Sequence, residues 1–200
     1  ALSIAHYGYI METGRIVMTG FNRRFSPMSV AIREYFHGRT SPIEVVCRVN
    51  AGAIKADSWY QDAEEGGWRI LSEGCHFIDL IQFLCGSKPA HVFAEIIGGT
   101  RPGGQNDNCA VTIKMEDGSF GTLVYVANGD PGYEKERVEV FGQGRTAVIE
   151  NWQVAKLFAN NRHRKVRPAG TGKGHAPEMV AFLEAVRNPA AAGPWFNEAI

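Results

Sequence analysis

The sequence predicts an α+β fold, a mostly antiparallel open sheet with helices packed on one face. Two observations carry that expectation. Helical patterns come early and once more near the end, with a run of short β-rich segments between them. Those segments are separated by turn sequences: Glu116-Asp117-Gly118-Ser119, Asn128-Gly129-Asp130-Pro131-Gly132 and Gly142-Gln143-Gly144. Connections this short make neighbouring strands antiparallel, because a parallel pair needs a crossover of about a dozen residues.

Taken in order, Ala1 to about Glu12 reads as the end of a helix closed by Gly14, and Arg15 to Phe21 as a strand. Pro27 suits the first turn of a helix capped by Ser26 and running to about His37. Ile43 to Val49 alternates and is β-rich, hence a strand. Ala51 to Gly67 is a long irregular loop, of a kind that tends to carry function. A largely apolar helix follows and ends near Cys85. Ala90–Ile97, Ala110–Met115, Gly121–Val126, Arg137–Phe141 and Thr146–Glu150 read as strands, with Val154–Phe158 and Lys165–Arg167 as edge additions. Arg162-His163-Arg164-Lys165 reads as a charged hairpin tip in preference to a nucleic-acid patch. The last helix spans about Ala176 to Arg187, and Pro189–Ile200 reads as a truncated remainder.

Composition excludes several classes of partner. The 21 Lys and Arg balance the 21 Asp and Glu, so no net charge draws the chain to nucleic acid or anionic membrane. No apolar run approaches the roughly 18 residues of a bilayer span. The four cysteines, Cys47, Cys75, Cys85 and Cys109, lie in apolar contexts without C-x-x-C spacing. They read as reduced core residues of a cytoplasmic protein, with neither disulfides nor a metal site.

The helix after Gly66-Gly67 holds the most informative pattern. Arg69, Ser72, Glu73, His76 and Asp79 recur at spacings of three and four, so they share one face. Gly74 interrupts the helix interior, where glycine costs roughly 1 kcal/mol against alanine and is retained where something must approach closely. An imidazole beside that gap suits acid/base chemistry. An ordinary solvated helix face is the plainer account of the same stripe.

Gly20-Phe21-Asn22-Arg23-Arg24-Phe25-Ser26-Pro27 and Glu65-Gly66-Gly67, followed by Gly74-Cys75-His76-Phe77-Ile78-Asp79, together resemble the Gfo/Idh/MocA family of NAD(P)-dependent enzymes. Asn106-Asp107-Asn108, Glu116-Asp117-Gly118-Ser119, Val138-Glu139-Val140-Phe141-Gly142 and Lys173-Gly174-His175 extend the resemblance over essentially the whole chain. It implies a C-terminal domain that binds substrate and mediates oligomerisation, following a Rossmann domain that binds the dinucleotide. Residues 1–22 then match the last helix and strand of the Rossmann unit, and 23–200 the substrate domain, truncated at its end. No G-x-G-x-x-G follows a strand, and the family's Glu-Lys-Pro motif is absent. NAD or NADP is therefore expected in the full-length protein and not on this chain, which alone should be inactive.

The resemblance implies that His76 is the acid/base histidine acting on a secondary alcohol of a sugar or cyclic polyol. The family aspartate four residues earlier is Ser72 here, and the third glycine of its motif is Trp68. Either Glu73 or Asp79 stands in for that carboxylate. Asn22 and Arg24 are expected near substrate, Arg24 equally as an interdomain salt bridge. Trp59 and Tyr60 either lie against a sugar ring or pack in the core or a lid. Asn106 to Asn108 reads as a turn before its strand. A homo-oligomer through the sheet face is expected, because an exposed sheet with Val, Ile, Tyr and Phe favours pairing. The alternative function is a non-catalytic sugar-binding or oligomerisation module.

Overall fold

A computed structural model describes residues 18–55, 58, 69–97, 107–168 and 172–188. The chain enters through a 3₁₀ turn, Asn22–Phe25. The Ser26 hydroxyl then accepts a hydrogen bond from the Met28 amide at 3.2 Å, and Pro27 opens helix α1 (Pro27–Tyr35) as the sequence predicts. Strand β1 is Glu44–Asn50, helix α2 is Cys75–Cys85, and strands β2 and β3 are Pro89–Ile96 and Cys109–Met115. Then come β4 (Phe120–Val126), β5 (Glu136–Gly142), β6 (Arg145–Glu150), β7 (Val154–Ala159), β8 (Arg162–Val166) and helix α3 (His175–Arg187).

The strands form one sheet in the order β2-β3-β4-β1-β5-β6-β7-β8. Every neighbouring pair is antiparallel except β1 with β4. Here the sequence expectation fails: β4 and β5 are not neighbours, because β1 lies between them. Residues 127–135 are long enough to step over one strand, a gap of roughly 10 Å. Gly129 makes the step possible, since a Cβ there would come within 2.2 Å of Asn50 Oδ1. The Asn50 amide in turn donates to the Asp130 carbonyl at 2.7 Å, tying the crossing loop to the end of β1.

Helices α1 and α2 cover one sheet face. Met28, Ile32, Phe77, Leu80, Ile81 and Leu84 interlock there with Val45, Cys47, Val49, Leu123, Tyr125, Val138, Val140 and Ile149, all buried. Each such side chain contributes roughly 1.5–3 kcal/mol on burial. Gly121 lets α2 approach β4, for a Cβ there would sit 2.1 Å from Ile81 Cγ2. The cysteines are free thiols, and burial pushes that of Cys85 up to about 12.

The opposite sheet face is more charged than expected. The pairs Arg48–Glu134 (2.7 Å), Arg137–Glu139 (3.2 Å) and Lys156–Glu150 (2.8 Å) run across it, and Thr112 meets Thr122 at 3.1 Å. Tyr125 faces the helices, on the buried side. Exposed large apolar side chains gather instead on β2 (Val92, Phe93, Ile96) and α3 (Met179, Val180, Leu183, Val186).

Three further corrections concern local structure. The basic cluster Arg162–Lys165 is not a hairpin tip but most of edge strand β8. The tip is Asn160-Asn161, both at positive φ (50° and 57°), a turn that asparagine tolerates well. The expected strand Arg15–Phe21 does not reach residues 18–21, which carry no strand; its earlier part, like the helix before it, lies outside the described residues. The helix carrying the polar stripe begins with a π turn, Ile70–Gly74, before becoming α-helical at Cys75.

Candidate functional site

His76 is the second residue of α2, immediately after the π turn. Such turns widen a helix locally and recur at functional positions. A Cβ on Gly74 would lie 2.5 Å from Ile70 Cδ1, so a larger residue there would displace the tip of that side chain. The imidazole is half-buried and meets the Phe21 ring edge-on, centroids 5.3 Å apart. Its Nδ1 is buried and has no hydrogen-bond partner among the described residues. Burial, then the nearby Arg23 guanidinium, brings its pKa down to about 4, although Glu73 and Glu136 pull the other way. The ring is consequently neutral at physiological pH, with a nitrogen able to accept a proton.

The two candidate orienting carboxylates have different surroundings. Glu73 pairs with Arg69 one turn earlier (3.1 Å) and accepts the Tyr125 hydroxyl at 2.8 Å. Its charge favours protonated His76. Asp79 is fully buried and held by both Arg24 nitrogens, with Nε to Oδ2 at 2.9 Å. Arg24 is itself buried and lies 5.6 Å from the Phe83 ring centroid, so this pair clamps the 3₁₀ turn onto α2. Asn22, also buried, donates to the Lys173 carbonyl at 2.8 Å and fixes the approach to α3. Trp59, Tyr60 and Asn106 lie outside the described residues.

Sequence reasoning missed the group beside His76. Glu136, at the start of β5, is 1% exposed and takes both Arg23 Nε and Nη2 at 3.0 Å, Lys173 Nζ at 2.7 Å and the Trp152 indole N–H at 2.5 Å. Burial alone would raise its pKa, but Arg23 and Lys173 outweigh that and hold it at about 2. Strand parity carried the signal: with Val138 and Val140 inward, Glu136 must also point inward and needs a partner.

Comparison with known proteins decides the family. Residues 28–148 match the model of the GFO/IDH/MocA C-terminal domain. The chain belongs to the GFO/IDH/MocA family. It is similar to the inositol 2-dehydrogenase of Rhizobium meliloti (strain 1021), 24% identical over 203 residues, covering 96% of this chain and 61% of that protein. It is also similar to inositol 2-dehydrogenase 2 of Paenarthrobacter aurescens (strain TC1), 30% identical over 148 residues, covering 71% of this chain and 42% of the relative. In fold it resembles the aldose-aldose oxidoreductase of Caulobacter crescentus, with a TM-score of 0.70, 19% identity and coverage of 88% of this chain and 55% of that one. The chain thus spans about half the length of the relatives it matches. GFO/IDH/MocA membership makes it part of an oxidoreductase family, and the sheet with its helices has the family's C-terminal-domain architecture.

Among the described residues, no helix is long and apolar enough to cross a membrane, and no group of three His, Cys, Asp or Glu side chains is arranged to hold a metal. The positive-φ glycines Gly118 and Gly144 lie in turns that join antiparallel strands.

Proposed function

We propose that this chain is the substrate-binding half of an NAD(P)-dependent dehydrogenase acting on a secondary alcohol of a sugar or cyclic polyol. The observation that carries the reading is His76, neutral and half-buried, with an unpartnered Nδ1 beside a π turn in an oxidoreductase family member. The names of the curated relatives, both inositol dehydrogenases, support the substrate class.

In this reading the imidazole takes the hydroxyl proton as the carbinol carbon gives up hydride, and returns it in reduction. A nicotinamide cofactor, held by another part of the full-length enzyme, would supply the hydride-accepting chemistry. Glu73 is the carboxylate that stabilises the imidazolium, because its charge already favours that form; Asp79 stays with Arg24 and positions the helix. Asn22 and Arg24 act by holding Lys173 and Asp79 in place, and Trp59 and Tyr60 are the proposed sugar-ring contacts. A second copy pairs through the open sheet face, so light scattering that showed only monomer would count against this part.

One observation favours a second reading. Ser72 occupies the family's acid position, and no carboxylate bonds His76 Nδ1 among the described residues. A non-catalytic sugar-binding or oligomerisation module would show both features. An assay of the full-length protein with NAD or NADP and a panel of cyclic polyols and aldoses separates them. The dehydrogenase reading expects nicotinamide reduction with at least one substrate. Absent turnover, together with no nucleotide binding by calorimetry, leaves the module.

A further inference from the structure

A cavity of about 570 Å³ opens beside the Glu136 group, lined by Asn151, Trp152, Gln153, Arg167, Lys173 and His175 among others. Among the described residues its lining holds Arg and Lys and no Asp or Glu. Arg167 is exposed and makes no ion pair among the described residues. Lys173 bonds Glu136, but that one carboxylate also serves Arg23, so positive charge remains in excess.

Asn151 and Trp152, in the wall of the cavity, both take positive φ, 46° and 58°, a conformation uncommon for a residue as bulky as tryptophan. The indole bond to Glu136 and the Asn151 amide bond to the Glu136 carbonyl, 2.8 Å, hold them there. Gly172 packs so close that a Cβ would meet the Trp152 carbonyl at 2.1 Å. Two of its lining residues, Trp152 and Lys173, bond Glu136, the carboxylate that also holds Arg23.

We infer that this cavity binds an anionic, oxygen-rich group, a phosphate or carboxylate carried by the sugar, through Arg167, Lys173 and His175. Charge-assisted bonds from a guanidinium and an ammonium suit such a group. The catalytic meaning of this site rests on the dehydrogenase reading above; the binding itself does not.

The test is a nuclear magnetic resonance titration of the full chain with inorganic phosphate and, in parallel, with glucuronate, using a neutral methyl glucoside as control. Saturable shifts of the Trp152 indole and of the Gly172–His175 amides are expected with at least one anion, and their relative strength tells phosphate from carboxylate. Arg167→Ala should weaken that binding about tenfold without disturbing the remaining spectrum, because the side chain is exposed. Two results overturn the inference: no saturable shift with either anion, or shifts shared with the Arg162–Lys165 strand and indifferent to Arg167→Ala. Because the readout is binding, it succeeds or fails independently of any turnover assay.

Discussion

Arg24 and Asp79 form a buried ion pair, Nε to Oδ2 at 2.9 Å, that joins the 3₁₀ turn before α1 to the helix carrying His76. Both side chains are almost wholly withdrawn from water. Removing one partner leaves the other charge buried and uncompensated. Asp79→Ala should therefore destabilise the chain by about 3–5 kcal/mol in urea unfolding, whereas Arg24→Met with Asp79→Leu should recover most of that loss.

Glu136 makes stability depend on acid. Its folded pKa, about 2, lies below the ordinary 4.5, so the folded state prefers it ionised. The stabilisation is fully present above pH 4.5 and is lost as pH falls toward 2, by roughly 3 kcal/mol. Glu136→Gln should flatten this part of the stability profile, measured by denaturant unfolding at a series of pH values.

Glu178 acts with the opposite sign. Burial, and the charge of Asp79, raise its pKa from 4.5 to about 7, and its Oε1 has no partner among the described residues. The folded state prefers the protonated acid, so its contribution is present below pH 4.5 and is lost as pH rises through 7. Glu178→Gln should raise stability at pH 8 by about 1–2 kcal/mol while changing little at pH 4.

Close approach of α2 to β4 depends on Gly121. The Cβ of Gly121→Ala would lie 2.1 Å from Ile81 Cγ2, so the helix must shift outward. A loss of about 1–3 kcal/mol in denaturant unfolding is expected.

Much of this architecture was legible in the residues, and the failures have physical causes. Alternation and turn residues located the strands, and Ser26-Pro27 located α1, because those signals are local. The place of β1 between β4 and β5 is not local. It depends on a loop that steps over a strand and on Gly129 clearing Asn50, which no periodicity records. At the site, helical spacing put His76, Glu73 and Asp79 on one stripe. It could not show that Arg24 engages Asp79, nor that Glu136 gathers Arg23, Lys173 and Trp152 from distant segments. The π turn escaped notice because its sequence reads as ordinary helix.

His76 is the group proposed to exchange a proton with the substrate oxygen. The most direct measurement compares kcat/KM for polyol oxidation by the full-length enzyme with that of His76→Ala. A fall of about 100-fold or more is expected, since positioned acid/base groups contribute at that level. A variant that keeps its fold and turns over within about threefold of the parent would contradict the proposal.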